Sequence, residues 1–144
     1  GTFLCSPVVV NKMLSTGLES KYCRDGGVIL NIASDLAIIS PDQRIYSGGV
    51  KPASYGVAKA GVVNLTKYLS TYLAKKNIRV NSLSPAGVYN NQSDEFVSKF
   101  RNLIPMDRMA KPDEYKGAIV FMCSDASSFM TGHNLVIDGG RTIW

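Results

Sequence analysis

The sequence lacks the features on which several classes of protein depend. Its three cysteines, Cys5, Cys23 and Cys123, are widely spaced, form no CxxC pair, and are accompanied by a single histidine. We interpret them as reduced thiols of a cytoplasmic protein, not as disulfide partners or metal ligands. The longest apolar run, 118–123, is much shorter than the ~18–20 residues of a membrane-spanning helix. These absences argue against a disulfide scaffold, a metal centre and a membrane protein.

The positive charge is not gathered into one patch. Lys and Arg number 16 against 11 Asp and Glu, which gives a formal net charge of +5. A nucleic-acid-binding surface needs clustered cations to neutralise phosphates, whereas only Lys75, Lys76 and Arg79 lie close together here. They surround a predicted helix end, where cations meet the negative end of the helix dipole. The charge therefore indicates a solvated surface and no nucleic-acid partner.

The length and the apolar patterns predict one α/β domain. With 144 residues and 45% hydrophobic content, the chain can form one core but hardly two. A helix is expected over 3–18, with Pro7 disturbing its first part, and a turn at 24–27 precedes an apolar strand over 28–34. Then follow an exposed loop over 40–52, a long helix over 53–76, a strand over 78–84, helices over 93–101 and 112–123, and a last strand over 134–138. Helices alternating with buried strands predict a parallel sheet.

The long predicted helix carries the first candidate for chemistry. Tyr55 and Lys59 stand four residues apart near its start, so their side chains share one face. An ammonium group favours the ionised form of a neighbouring phenol, which can then exchange a proton with a substrate oxygen. Tyr72 and Lys76 repeat the spacing, but roughly 25 Å further along the helix at about 1.5 Å per residue. Ligands of open α/β sheets bind where such a helix begins, so we interpret the second pair as structural.

Two further segments are predicted to reach the same edge of the sheet. Ser34 ends the first strand, so its hydroxyl can lie near the Tyr55 phenol; the alternative is an ordinary serine at a strand end. The segment 84–88 follows the second strand, and its Pro85 and Gly87 allow the backbone to approach a flat ligand closely. Three features of the sequence therefore converge on one edge.

Four motifs occur in an order that resembles the short-chain dehydrogenase/reductase family. They are NIAS at 31–34, YGVAKAG at 55–61, IRVNSLSP at 78–85 and TGHNLVIDGG at 131–140. Several ordered motifs are more specific than any one alone. The resemblance covers essentially the whole chain and implies the C-terminal part of a Rossmann-type parallel sheet with flanking helices. It also implies an NAD(P)-dependent oxidoreductase that transfers a hydride between nicotinamide and a carbonyl or alcohol carbon.

The resemblance also assigns roles to individual residues. Tyr55 is expected to be the catalytic acid/base, Lys59 to bind the nicotinamide ribose and assist Tyr55, and Ser34 to hold the substrate oxygen. The segment 90–109 is expected to be a mobile cover over the substrate, and family members form homodimers or homotetramers. NAD or NADP is the expected cofactor and no metal is implied. The cofactor-binding set implied by the family is Tyr55, Lys59, Pro85, Ala86, Gly87 and Val88.

The chain departs from the family pattern at several positions. Ala86 stands where a second glycine is usual, and Asn90 where many members have a threonine. The interval from Ser34 to Tyr55 is longer than usual, and the apparent insertion 42–51 is expected to bring Arg44 or Tyr46 near the substrate. Similar insertions occur in flagellin-modification and polysaccharide-biosynthesis reductases, which favours a sugar-like substrate. A thioester-bound 3-oxoacyl substrate, and an inactive interaction module, are the alternatives.

The phosphate-binding features of the family do not occur in these 144 residues. There is no TGxxxGxG loop and no NNAG segment. There is also no acidic or basic residue after a second strand that would select NAD or NADP. We therefore expect residues 1–144 to be the C-terminal portion of a single domain, and to be inactive without the dinucleotide-binding half. The strand over 28–34 would then expose an edge, which we expect further polypeptide or another copy to cover.

Overall fold

The computed structural model describes residues 1–16 and 26–144. The predicted end of the first helix near Leu18, Cys23, and the first half of the predicted turn at 24–27 lie outside the described residues. No helix in the described part is long and apolar enough to cross a membrane. The helices and strands are α1 (Thr2–Thr16), β1 (Gly27–Ile32), α2 (Ala53–Leu73), β2 (Ile78–Pro85), α3 (Asp94–Arg101), α4 (Lys116–Cys123) and β3 (Asn134–Ile137).

The three strands form one parallel sheet in the order β1-β2-β3. Gly27 lies opposite Ile78 in the first pair of strands, and Ser82 lies opposite Asn134 in the second. The predicted α/β class and parallel sheet are confirmed. Because all strands run the same way, their carboxyl ends meet at one edge, and the segments that follow them are brought together there. Within the described residues β1 pairs only with β2, and the expected cover over its far edge stays a prediction.

Helix α2 holds the sheet from one side because its leucines recur every four residues. Leu69 and Leu73 are buried and pack with Ile78 and Val80 of β2 and with Val10 of α1. The helix continues as a short 3₁₀ turn over Ala74–Lys76 and stops at Asn77, whose φ of 54° is left-handed. Asparagine tolerates that conformation at a helix end better than most residues. The long helix predicted over 53–76 is thus confirmed, with a tighter last turn.

The predicted exposed loop over 40–52 is only partly exposed. It contains a 3₁₀ turn, Gln43–Ile45, and Ile45 is 3% exposed. Ile45 packs in a second apolar cluster with Phe100, Ile104 and Met109. A single isoleucine in a polar segment has no periodicity, so the sequence carries no signal of its burial. The insertion is therefore anchored to the segment around α3.

The remaining differences are small and lie at the ends of elements. β1 ends at Ile32, two residues before the predicted end at Ser34. β2 runs on through Pro85, one residue beyond its predicted end at position 84, and pairs there with Ile137. A proline that lacks an N–H is tolerated at the end of a ladder. The helix predicted over 112–123 begins as a 3₁₀ turn, Pro112–Tyr115, before α4.

Candidate active site

A cavity of about 180 Å³ lies at the carboxyl ends of β1 and β2. A larger hollow of about 710 Å³ lies at the opposite end of the sheet, around Gly27 and Ile78 at the beginnings of the same strands. We take the smaller cavity as the candidate site because ligands of parallel sheets bind beyond the carboxyl ends. Its walls are formed by Ser34, Asp35, Leu36, Tyr46, Lys51, Tyr55, Ala86, Gly87, Val88, Gln92, Phe96, Phe100, Met109 and Arg141.

Tyr55 enters this cavity from the first turn of α2. Helix α2 begins directly after Pro52, whose carbonyl accepts the amide of Tyr55 at 3.1 Å. Lys59, one turn later, does not line the cavity itself. Its Nζ donates to the carbonyl of Ile32 at 3.0 Å and lies 5.7 Å from the centroid of the Tyr55 ring. The lysine therefore bridges the last residue of β1 and the tyrosine, on the common face that the four-residue spacing predicted.

Ser34 lies in the wall of the same cavity, but its hydroxyl is already engaged. The residue is 6% exposed and caps the 3₁₀ turn Asp35–Ala37. Its Oγ donates to Asp35 Oδ1 at 2.8 Å and accepts the amide of Leu36 at 3.2 Å. Ser34 is therefore both a capping residue at the strand end and a residue of the cavity wall.

An ion pair that sequence reasoning missed forms part of the wall beside Ser34. The carboxylate of Asp35 pairs with the guanidinium of Arg141, and both side chains are 4% exposed. The guanidinium carbon of Arg141 also lies 4.7 Å from the centroid of the Phe100 ring. The two charged residues are 106 positions apart, so no local pattern links them. The only sequence feature that relates them is position, because Asp35 follows β1 and Arg141 follows β3.

The turn after β3 is what directs Arg141 into the site. Gly139 and Gly140 both have positive φ, at 66° and 92°. The carboxylate of Asp138 accepts the amides of Gly140 at 2.9 Å and Thr142 at 2.7 Å. Although burial alone raises the pKa of Asp138, these hydrogen bonds outweigh it and lower that pKa below its usual value. The double glycine is therefore the sequence feature that best marks this turn.

The insertion contributes Tyr46 and Lys51 to the cavity. Burial raises the pKa of the Tyr46 phenol above its usual value, so the phenol stays protonated at neutral pH. Lys51 Nζ lies 3.9 Å from the centroid of the Tyr55 ring. The side chain of Gln43 holds the backbone of Lys51 with two hydrogen bonds, of 2.9 and 3.1 Å. Lys51 thus places a second ammonium group near the Tyr55 ring, in addition to that of Lys59.

The insertion was expected to bring either Arg44 or Tyr46 near the substrate, and it is Tyr46 that lines the cavity. Arg44, the alternative, lies outside the cavity: its side chain is 89% exposed and pairs with Asp42 at 2.6 Å. The hydrogen bonds from Arg44 lower the pKa of Asp42 to about 2. The carboxylate of Asp42 also accepts the backbone amide of Arg44, at the start of a 3₁₀ turn. A partner two positions away therefore holds the guanidinium at the surface.

The segment after β2 and the predicted cover form the rest of the cavity. Ala86, Gly87 and Val88 line it as expected, whereas Pro85 is not among the lining residues. A Cβ added at Gly87 would lie 2.5 Å from the Phe100 ring, so glycine is needed for this close packing. From the predicted cover, Gln92 Nε2 donates to the carbonyl of Val88 at 3.0 Å. The segment 90–109 thus closes one side of the site.

The fold and the site define a Rossmann-type α/β protein with a tyrosine and a lysine at the carboxyl edge of its sheet. Comparison with known proteins identifies the family. A family model described as enoyl-(acyl carrier protein) reductase matches residues 11–142. A short-chain dehydrogenase structure from Leptospira borgpetersenii, with bound NAD+, superimposes with a TM-score of 0.87 and 38% identity. It covers 99% of this chain and 52% of its own. The chain belongs to the short-chain dehydrogenase/reductase family.

Curated relatives match over nearly the whole chain. The NAD-dependent glycerol dehydrogenase of Listeria innocua is 32% identical over 99% of this chain and 52% of the relative. The D-threitol dehydrogenase of Mycolicibacterium smegmatis is 36% identical over 99% and 51%. The flagellin modification protein A of Campylobacter coli, of the narrower group expected from the sequence, is 35% identical over 79% and 45%. The chain spans about half the length of the curated relatives it matches.

Proposed function

We propose that the complete protein is an NAD(P)-dependent oxidoreductase that interconverts a secondary alcohol of a small polyhydroxy compound and the corresponding ketone. The observation that carries this proposal is the meeting of Ser34 and Tyr55 in one cavity at the carboxyl edge of the sheet, with Lys59 behind the tyrosine. The names of the glycerol and threitol dehydrogenases support the substrate class.

The residues at this edge fit the nicotinamide end of a dinucleotide. An ammonium group carries three N–H donors, and Lys59 uses one of them on the carbonyl of Ile32. The others suit the hydroxyls of a ribose. Ala86, Gly87 and Val88 offer backbone to a flat ring at the same edge. A bound nicotinamide would accept the hydride from the alcohol carbon, or return it to the carbonyl carbon.

The proposed proton chemistry belongs to Tyr55. Its phenol lies in the cavity, and two ammonium groups, those of Lys51 and Lys59, lie 3.9 and 5.7 Å from its ring centroid. We assign to Tyr55 the removal of the proton from the substrate hydroxyl during oxidation and its return during reduction. Ser34 contacts the same substrate oxygen.

The walls of the cavity favour a small polar substrate. Tyr46, Lys51 and Gln92 contribute hydrogen-bonding groups to the wall of the cavity, and Phe96, Phe100 and Met109 contribute apolar surface. Since the Tyr46 phenol stays protonated, it can donate to a substrate hydroxyl. A polyol presents both hydroxyls and a carbon chain, and therefore fits this mixed lining better than a purely apolar molecule.

The proposal also covers the extent of the domain, the oligomeric state and the cellular compartment. Residues 1–144 are proposed to form the C-terminal portion of a single domain, in keeping with the half-length match to the relatives. The complete protein is proposed to be a cytoplasmic homodimer or homotetramer. The wide spacing of Cys5, Cys23 and Cys123 supports the compartment, and the exposed apolar side chains of α1 and α4, such as Leu4 and Val120, support assembly.

The test is turnover by the purified complete protein with NAD+ and with NADP+. A panel of triols, tetritols, pentitols and hexitols is offered for oxidation, and a 3-oxoacyl thioester with each reduced cofactor for reduction. Reduced nicotinamide should form with at least one polyol, and Tyr55→Phe should abolish the reaction while Tyr72→Phe leaves it unchanged. Turnover of the thioester alone would refute the substrate class. No turnover of either would favour the inactive interaction module.

A further inference from the structure

The described wall of the candidate cavity carries more positive than negative charge. Its charged side chains are those of Asp35, Lys51 and Arg141. Asp35 and Arg141 form a buried ion pair, so their opposite charges cancel. Lys51 takes part in none of the ion pairs that the structure contains within residues 1–16 and 26–144. The positive charge of Lys51 is therefore left for a ligand to balance.

The insertion holds the backbone of Lys51 in a defined position. The side-chain amide of Gln43 accepts the N–H of Lys51 at 2.9 Å and donates to its carbonyl at 3.1 Å. The insertion is in turn joined to α3, because Ser47 donates to the carboxylate of Glu95 at 2.7 Å. A residue whose backbone is already fixed has less freedom to lose when its side chain engages a ligand. Lys51 is therefore suited to bind a ligand without much further ordering.

The ammonium group of Lys51 lies close to the residue assigned to proton transfer. Its Nζ is 3.9 Å from the centroid of the Tyr55 ring. In the part of the chain that the structure describes, the hydrogen bonds of Lys51 are those of its backbone to Gln43, so its three N–H groups remain for a ligand. An anion bound to them would lie near the substrate carbon whose hydroxyl Tyr55 deprotonates. The charge of Lys51 therefore bears on the substrate itself.

The charges of the wall favour a carboxylate over a phosphate ester. A phosphate monoester carries about −1.5 to −2 charges at neutral pH and is commonly bound by arginine. The guanidinium of Arg141 is buried and already paired with Asp35, which leaves Lys51 as the cation available among the described residues of the wall. One ammonium group balances one carboxylate. The cavity of about 180 Å³ also suits a small acid.

We infer that Lys51 is a specificity-determining residue that binds a carboxylate of the substrate, so that the preferred polyhydroxy compound is a sugar acid and not the neutral polyol. This inference rests on the function proposed above and narrows its substrate class. The carboxylate belongs near the reacting carbon, because Lys51 Nζ lies close to the Tyr55 ring. Lys51 selects the substrate through this charge and exchanges no proton with it.

The experiment compares matched substrates of the complete protein. Each alditol of four to six carbons is paired with the aldonic acid of the same length and configuration, and kcat/KM is measured for both in one preparation. The quotient of the two values does not depend on the fraction of active enzyme. In the unmodified protein it should favour the acid by about tenfold or more, the effect of one charged hydrogen bond. It should fall several-fold between about 0.01 M and about 1 M salt, because salt screens the attraction.

The test variant is Lys51→Met, which removes the charge and keeps most of the side-chain length. The preference for the acid should fall about tenfold. A contribution of Lys51 to Tyr55 alone would alter both substrates alike and leave the quotient unchanged. Lys51→Arg keeps a cation and should retain the preference within about threefold. The control is Arg44→Met, which removes a cation from the same insertion but outside the cavity, and it should leave the quotient unchanged.

Lys51→Glu tests the charge in the opposite sense. It should turn the preference against the acid and towards the amino-alditol, in which an ammonium group replaces one hydroxyl. An unmodified protein that turns over the alditol at least as well as the acid, or equal losses for both in Lys51→Met, would overturn the inference and leave the proposed function standing. A quotient independent of salt, which needs no variant, would do the same. Turnover of neither compound would refute the proposed function, and this inference with it.

Discussion

Helix α2 and the turn after it carry the same tyrosine–lysine spacing twice, in two different surroundings. Near the start of the helix, Lys59 Nζ lies 5.7 Å from the Tyr55 ring centroid; at its end, Lys76 Nζ lies 5.2 Å from that of Tyr72. Tyr55 lines the cavity, while Tyr72 is 59% exposed and stacks on Tyr68. Two nearly identical contacts of a cation with a phenol ring are therefore placed at opposite ends of the sheet.

The difference between the pairs lies in what surrounds them. Lys59 donates a hydrogen bond to the carbonyl of Ile32 in β1, and Lys51 places a second cation near the Tyr55 ring. Around Tyr72 the structure has the solvated face of a helix end. A cation over an exposed ring contributes little, because water screens the charge. A motif of this kind acquires chemistry from the strand ends beside it, not from its internal spacing.

The largest effect on activity should come from removing the phenol oxygen of Tyr55, in the first pair. In the complete protein, Tyr55→Phe should lower kcat by about a thousandfold or more, because general acid–base catalysis contributes roughly 10²–10⁴ in rate. Cofactor affinity should stay nearly normal, since the phenol acts mainly in the transition state. Tyr72→Phe is the matched control and should leave kcat unchanged within about twofold. Retention of more than about a few per cent of activity by Tyr55→Phe would show that the acid/base is another group.

The lysines should separate the pairs in a second way. Lys59→Ala should lower kcat by about a hundredfold and also weaken cofactor binding by about tenfold, because the proposed function gives its ammonium group a role beside the phenol and a role on the ribose. Steady-state kinetics together with titration of the reduced cofactor measure the two losses. Lys76→Met, its counterpart in the second pair, should alter neither. A Lys59→Ala variant with normal cofactor affinity would contradict the proposed ribose contact.

At the far end of α2 the expected loss is in stability. Leu73 is fully buried beside Ile78 and Val80, so Leu73→Ala should reduce the free energy of unfolding by about 2–5 kcal/mol. Denaturant unfolding measures this, and the folded fraction should keep its kcat. Tyr72→Ala, the adjacent exposed position, serves as the control and should cost much less. A loss of kcat without a loss of stability would place Leu73 in the catalytic machinery and blur the contrast between the two ends.

The smallest effect is expected for the third tyrosine, Tyr46. Tyr46→Phe should raise KM for the polyol by about tenfold with little change in kcat, as removal of a substrate-binding hydroxyl would do. Because burial raises the pKa of this phenol, it remains a donor, and the rise in KM should be constant between pH ~6 and ~9. Initial rates across that range provide the check. A change in kcat that varied with pH would mean that Tyr46 takes part in proton transfer.

Most of the elements could be predicted from the sequence because their signals are local. The apolar runs of β1 and β2 and the four-residue leucine spacing of α2 each fall within one element, and the structure places all three as expected. The positions of Ser34 and the residues after Pro85 at strand ends, and of Tyr55 at the start of a helix, also predicted that they would share an edge. The structure brings them to one cavity, although Lys59 and Pro85 themselves do not line it.

The contacts that the sequence did not predict involve partners that are remote in the chain or are single side chains outside any repeating pattern. Burial of Ile45 depends on Phe100 and Ile104, which lie more than fifty positions away. The sequence did not decide between Arg44 and Tyr46 as the residue that reaches the site, and Asp42 binds the Arg44 guanidinium at the surface. The contact of Lys51 with the Tyr55 ring depends on how the insertion folds back, which Gln43 determines through two hydrogen bonds. None of these contacts has a period that a pattern could reveal.

The amino-acid sequence by itself determined the alternation of helices and strands, the parallel sheet and the tyrosine–lysine face at the start of α2, since each arises from residues close together in the chain. Only the tertiary structure decided that Asp35 and Arg141 meet, and that the Ser34 hydroxyl is turned towards the carboxylate. Their meeting requires β1 and β3 to lie on either side of β2, so that the turns after them face one cavity. Hydrogen bonds and ion pairs between such turns depend on strand order, and strand order is a property of the whole sheet.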